Sequence, residues 1–251
     1  MTTWWKTRYD KLFKDNNFWS IPDGAYVAAQ VGYVVMATGI KAPSALLDLG
    51  AGTGRHVACF AKKGFNSRGV EYSKTLVAKG RELSPDIDLA EGDMRSLSAK
   101  EQFDAVTFFD TSFGIFGDDE NSAMLQKVCA ALKSGGWLAV DYMNPGYWKR
   151  QTAEMTMPDY KKGGKWLRRY AYDEKNCRLT DSVKYVSPDG AAEEYPDQIL
   201  ALYPPEKLGQ MLASAGFCNI AMYGGAGCEY PEKLQPVTPG SSSIVAIAQK
   251  P

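Results

Sequence analysis

Ala45-Leu46-Leu47-Asp48-Leu49-Gly50-Ala51-Gly52-Thr53-Gly54 runs from a short apolar segment into three glycines at alternate positions. The apolar run has the length and composition of a buried parallel strand. From Arg55 to Lys63 a helical pattern follows at once. Strand, glycine turn and helix start together make a pocket for a nucleotide cofactor. Glycine lets a ligand approach the backbone, and the first turn of a helix offers unpaired N–H groups. Spacing narrows the choice. A dinucleotide fingerprint, G-x-G-x-x-G, needs glycine at 55, where Arg55 stands, and no G-K-[ST] of a P-loop is present. An anion would gain nothing from Asp48 at the strand end. A ligand with a free ammonium group would, directly or through water.

This D-x-G-x-G-x-G stretch resembles motif I of the class I S-adenosylmethionine-dependent methyltransferases. The resemblance implies an α/β fold. Its core is a Rossmann-like seven-stranded sheet, mostly parallel, closed by a C-terminal antiparallel hairpin. The cofactor is then S-adenosyl-L-methionine and the product S-adenosyl-L-homocysteine, with Asp48, Gly50, Gly52 and Gly54 in the cofactor site.

The next strand tips continue the pattern. Asn66 to Val70 reads as a second strand, ending on Glu71-Tyr72-Ser73. In a doubly wound sheet this puts a carboxylate beside the first loop, where it can accept both ribose hydroxyls. Tyr72 is counted with the cofactor site, and Ser73 caps a helix running to about Leu83. Ile87 to Ala90 is a third strand, followed by Gly92-Asp93-Met94-Arg95. Asp93 can accept from an adenine amine and the Met94 N–H can meet a ring nitrogen; G-D-M-R is similar to the adenine loop of the same superfamily.

Phe103 to Phe109 is a fourth strand, and Asp110-Thr111-Ser112-Phe113-Gly114-Ile115-Phe116 follows it. This loop is expected over the reactive end of the cofactor. Its T-S-F-G-x-F form resembles a subgroup of small-molecule methyltransferases that includes amino-sugar N-methyltransferases. Many relatives have an aromatic at 110. An acid there serves either a cationic amine or the capping of the next turn. Asp119 to Lys133 reads as a helix capped by Ser134-Gly135-Gly136, and Trp137 to Tyr142 as a fifth strand.

Four regions are expected. Residues 1–40 form an N-terminal helical lid, with Trp5, Tyr9, Leu12 and Phe13 at helical spacing. Tyr9-Asp10-Lys11-Leu12 fits a Y-D-x-L stretch that in similar methyltransferases touches the cofactor. Gly24 to Gly39 is a second helix. Residues 41–145 are the cofactor-binding core. Residues 146–202 break the strand–helix alternation: 165–172, 178–187 and 192–203 alternate like antiparallel strands, with Ser187-Pro188-Asp189-Gly190 as a turn. Such an insert would cover the substrate and offer a surface for a homodimer. Residues 203–251 complete the core, with a Pro-started helix, L-x-x-A-G-F and a closing hairpin.

Composition sets bounds. The 251 residues are 45% hydrophobic, enough for one large domain or a core with an insertion. Lys+Arg and Asp+Glu balance at 29 each, so nucleic acid is disfavoured as the main partner. Cysteines 59, 129, 177, 218 and 228 show no C-x-x-C and read as free thiols of a reducing compartment. With no signal peptide or spanning segment read from the sequence, a soluble cytoplasmic protein without a membrane partner is expected. His56 is the only histidine, placed for packing rather than as a base. No metal cluster and no Ser–His–Asp triad follow from one histidine.

Methyl transfer asks for an in-line nucleophile and a dry site more than for a strong base. A neutral amine on a small polar metabolite is the first choice of acceptor and a hydroxyl the second. A hydroxyl would need help, with Tyr142, Asp110 and Tyr9 as candidates. The candidate substrate wall is Phe113, Tyr142, Asn144, Trp148, Arg169 and Tyr203. A macromolecular substrate, or cofactor binding without catalysis, are the rival readings.

Overall fold

The computed structural model describes residues 3–16, 24–159, 162–225 and 233–251. Cys228, which entered the sequence reading, lies outside them. Strands β1 (Ala45–Leu49), β2 (Asn66–Glu71), β3 (Asp88–Glu91), β4 (Phe103–Phe108) and β5 (Leu132–Met143) run parallel in one sheet. β11 (Cys218–Gly225) and β12 (Ser243–Gln249) join it antiparallel. The order β11-β12-β5-β4-β1-β2-β3 makes this the expected seven-stranded sheet with its antiparallel hairpin.

The continuous apolar runs of β1, β4 and β5 are what a sheet covered on both faces requires. Leu47, Leu49, Val106, Phe108, Leu138 and Val140 pack on one side with helix α5 (Asp118–Ala131) and helix α7 (Pro205–Ser214). Leu46, Ala105, Ala139, Val245 and Ile247 face the other, against helix α2 (Gly24–Thr38) and helix α3 (Arg55–Lys62). Between β2 and β3 runs helix α4 (Lys74–Leu83), whose Ser73 cap accepts from Leu76 N at 3.1 Å.

A second, antiparallel sheet holds β6 (Met155–Pro158), β7 (Lys165–Asp173), β8 (Arg178–Val186) and β10 (Gln198–Ala201), with β9 (Ala192–Glu194) paired on β8. A one-turn helix, α6 (Pro145–Trp148), leads into it. The stretch 192–203 is two strands rather than one, interrupted at Pro196, which has no N–H for a ladder. β6 went unread because four alternating residues carry little signal.

The N-terminal segment is a 3-10 turn, Trp4–Lys6, followed by helix α1 (Arg8–Asn16). Leu12 is fully buried against Trp166, Val183 and Tyr185 of the second sheet and against Tyr195, which follows β9. Ser134-Gly135-Gly136 does not cap α5. That helix ends at Ala131, and fully buried Leu132 already pairs with Phe103 as the start of β5. Gly135 then takes φ +76° inside the strand, and its N–H and the Gly136 carbonyl bond Lys250.

Candidate active site

The glycine turn sits between β1 and α3. Gly50 has φ +72°, and a Cβ there would lie 2.7 Å from Ser112 Cβ and 3.2 Å from Met94 Cε. Only glycine lets the loops after β3 and β4 close on this turn. Ser112 adds a hydrogen bond from its hydroxyl to the Leu49 carbonyl at 2.8 Å. Gly52, at φ +57°, is the opposite case: a Cβ would meet nothing within 4 Å, so its outer side is open.

Two strand-tip carboxylates flank the turn. Asp48 is 3% exposed; Oδ1 accepts from the Thr107 hydroxyl at 2.9 Å, and Oδ2 has no partner among the described residues. Burial raises its pKa to about 7, against the Thr107 bond and the charge of Arg55. Glu71 accepts from Gly52 N at 2.9 Å through Oε2 and from Ser73 N at 2.8 Å through Oε1. Burial pushes it above the ordinary glutamate value, and these N–H groups pull the other way.

At the third tip Asp93 accepts from Arg95 N at 2.9 Å and from its guanidinium, which holds the carboxyl below the usual range. Arg95 also reaches Glu120 at 2.7 Å and lies over the rings of Trp5 and Phe116, 4.9 and 4.6 Å from their centroids. Trp5 meets Tyr72 edge-on at 4.7 Å. The middle of the N-terminal 3-10 turn thus rests on the residue after Glu71.

The tips of β4 and β5 carry a different constellation. Gln30 Nε2 donates to Asp110 Oδ1 and Asp141 Oδ2, each at 2.8 Å. His56 Nε2 donates to Gln30 Oε1 at 2.7 Å, and the imidazole stacks on Phe109 at 4.0 Å. Arg55 pairs with Asp110 Oδ2, and the Tyr26 hydroxyl donates to Oδ1 at 3.2 Å. Burial and the Arg55 charge keep His56 well below its ordinary pKa, hence neutral.

Residues 46–136 match a methyltransferase domain model. A demethylmenaquinone methyltransferase of Paenarthrobacter aurescens is 31% identical over 190 residues, 74% of this chain and 67% of that protein. The chain belongs to the class I S-adenosylmethionine-dependent methyltransferases. A dTDP-3-amino-3,6-dideoxy-alpha-D-glucopyranose N,N-dimethyltransferase of Streptomyces fradiae is 29% identical over 209 residues, 79% of either chain. The CcbJ methyltransferase of Streptomyces caelestis superposes at TM-score 0.76, with 22% identity and 99% and 98% of the two chains covered; it shares the fold.

The residues fit the cofactor. The unpartnered, buried Asp48 Oδ2 asks for a donor, which an ammonium supplies. Gly52 leaves its outer side clear, and Met94 and Glu71 both reach the same turn. Among the described residues no group of three or more His, Cys, Asp or Glu could hold a metal.

The other predicted site residues of this methyltransferase fall into two sets. Tyr9 is half-buried beneath the insert, its hydroxyl accepting from Gln198 Nε2 at 2.8 Å, and burial pushes its pKa up to about 12. It is a neutral phenol, suited to contact rather than proton removal. Tyr142 is 2% exposed, donates to the Tyr203 carbonyl at 3.2 Å and titrates far above its ordinary value through burial. Tyr203 donates to Asp118 Oδ1 at 2.6 Å, and Phe113 packs on Phe108 and Tyr203. Asn144 caps α6 through Gly146 N and donates to the Ser241 carbonyl. Trp148 donates to the Ser242 carbonyl and packs on Tyr170 at 4.7 Å. These contacts account for the conformations of all five in structural terms.

Strand alternation separates the arginine pair. Arg169 is exposed, whereas Arg168 turns inward and grips Asp181 with two bonds, at 2.9 and 2.8 Å. Fully buried Arg8 reaches the same carboxylate at 3.0 Å. Sequence reasoning missed Arg8 and the role of Gln30. Gln30 did leave a signal: it interrupts the apolar face that Val27, Val31 and Val34 bury on α2.

Proposed function

We propose that this methyltransferase transfers a methyl group to an amine nitrogen of a small polar metabolite. The observation that carries the cofactor half is the row of carboxylates on adjacent strands: Asp48 on β1, Glu71 on β2 and Asp93 after β3. In this reading Asp48 receives the ammonium of the amino-acid portion, Glu71 the ribose hydroxyls, and Asp93 with Met94 the adenine. Tyr72 and Trp5 close over the base, and Tyr9 belongs to the lid. The bound cofactor supplies a methyl already activated on a sulfonium. What the chain adds is position and exclusion of water.

Sheet order supports placing the acceptor at the tips of β4 and β5. Base, sugar and amino acid occupy the β3, β2 and β1 tips, so the reactive end faces β4. Among the described residues there, two carboxylates and one guanidinium carry a formal excess of one negative charge, which favours a cationic group. The name of the Streptomyces fradiae relative, an N,N-dimethyltransferase of an amino sugar, supports a nitrogen acceptor. The test is label transfer from methyl-labelled cofactor to matched pairs of nucleotide-activated sugars, amino against hydroxy at one carbon. Transfer to the amino member alone is expected; transfer to the hydroxy member alone would overturn the choice of nitrogen.

A further inference from the structure

Gln30 stands out among the buried groups that the cofactor reading does not use. It is 1% exposed, lies on the apolar face of α2, and spends its amide on three functional elements. One Nε2 bridges Asp110 and Asp141, on the loop after β4 and at the end of β5. Its Oε1 is held by His56, at the start of the helix after the glycine turn. Because His56 is neutral and its Nε2–H faces the amide oxygen, the two N–H bonds of Gln30 are aimed at the two carboxylates.

The loop so held is in an unusual backbone state. Asp110 and Thr111 are consecutive non-glycine residues at φ +49° and +64°, and a β-branched residue rarely takes that conformation. Such strain persists only where the surroundings over-determine it, and it gathers at working sites. Here Thr111 is pinned by its N–H on the Asp141 carbonyl at 2.9 Å and by its hydroxyl, which accepts from Met143 N at 3.0 Å. Asp110 is pinned by Gln30, Tyr26 and Arg55. Both ends of the strained pair therefore depend on β5 and α2.

We propose that Gln30 is a positioning residue of the methyltransferase. It fixes Asp110 and Asp141 as an oriented pair of negative groups at the reactive end of the cofactor, where positive charge sits on sulfur. This rests on the cofactor reading above. Gln30 carries no charge, so its effect must come through the orientation of the carboxylates, and that separates it from a general field.

Calorimetric affinities of the full chain for S-adenosylmethionine and S-adenosylhomocysteine test it, because the two ligands differ at sulfur in charge and one methyl. In Gln30→Met and in Asp110→Asn the ratio of sulfonium to thioether affinity is expected to fall about threefold to tenfold from wild type. Affinity for S-adenosylhomocysteine itself should stay within about threefold, since the sugar and base tips are untouched. An unchanged ratio in Gln30→Met would overturn the proposal, as would an equal loss for both ligands, which marks a merely structural role. Should Gln30→Met fail to fold, His56→Phe makes the same comparison: it keeps a ring on Phe109 and removes the N–H that orients the Gln30 amide. A wild-type chain that binds neither ligand would sink the cofactor reading itself, a result distinct from an unchanged ratio.

Discussion

Gly52 and Glu71, on different strand tips, are joined by a hydrogen bond of 2.9 Å from the glycine N–H to Oε2 of the carboxylate. The acid assigned to the ribose thus also braces the turn assigned to the amino-acid portion. Glu71→Ala should weaken S-adenosylhomocysteine binding by roughly 1–3 kcal/mol. It should also lower thermal stability, because the half-buried N–H of Gly52 and the buried N–H of Ser73 lose their acceptor. Asp93→Ala should show a binding loss of similar size. Its stability loss should be smaller, since Asp93 is half-exposed and its partner Arg95 keeps Glu120. Calorimetry and melting curves on both variants check the pair; equal stability losses would contradict the brace.

Asp48 predicts a pH dependence. Burial raises its pKa from 3.8 to about 7. The folded chain therefore holds this proton more tightly than the unfolded chain does. Its contribution to stability is full below pH 3.8 and is lost as pH rises through about 7. Asp48→Asn stays neutral, so it should melt a few degrees above wild type near pH 8 and close to it near pH 4. Ligand binding should run the other way. An ammonium favours the ionised form, so S-adenosylhomocysteine affinity should rise between about pH 6 and 8, with proton release on binding at the lower end. A wild-type affinity that is flat over this range would count against Asp48 as the ammonium site.

The parts of this molecule legible in its sequence are those set by local chemistry. Three glycines after an apolar run, Ser73 before a helix and an acid at each strand end all act within a few residues. The seven-stranded order follows from them through the resemblance. Illegible parts depend on partners far along the chain. Arg8 reads as a surface charge on an amphipathic helix, and its burial needs Asp181, 173 positions away. Ser134-Gly135-Gly136 reads as a helix cap, yet Leu132 is drawn into β5 by Phe103 and the loop is stitched to Lys250. Tyr142, Asn144 and Tyr203 read as candidate chemistry at a strand tip. The groups that engage their polar atoms, the Tyr203 carbonyl, the Ser241 carbonyl and Asp118, come from other segments.

His56 invites a catalytic reading that the geometry does not need. It is neutral, stacked on Phe109 and bonded to an uncharged amide. His56→Gln retains an N–H for Gln30, so turnover should stay within about tenfold, around 1.4 kcal/mol. Steady-state rates with an identified acceptor decide it. A loss of several thousand-fold with the fold intact would make His56 a participant in the chemistry.

Arg8, Asp181 and Arg168 form a buried triad in which one carboxylate serves two guanidinium groups. Arg8 also donates to the Asp181 and Pro196 carbonyls, while its Nε has no partner among the described residues. Desolvation lowers the Arg8 pKa, and Asp181 is the largest opposing influence. The triad fastens α1 to the second sheet, while Trp5 and Asp10, bonded to Ser73, fasten the same segment beside Glu71. Removing the shared acid takes the paired carboxylate from two guanidinium groups in the interior. Asp181→Ala should therefore cost about 3–5 kcal/mol. Arg8→Met should cost less, because it leaves Asp181 and Arg168 paired and fills the space with an apolar chain. Both changes should expose the N-terminal segment to protease more than they expose β1 or β4, since α1 lies on the sheet and is not part of it. Denaturant melts with limited proteolysis read both effects. A larger loss from Arg8→Met than from Asp181→Ala would mean that the backbone bonds of Arg8, not the ion pair, hold the N-terminal segment.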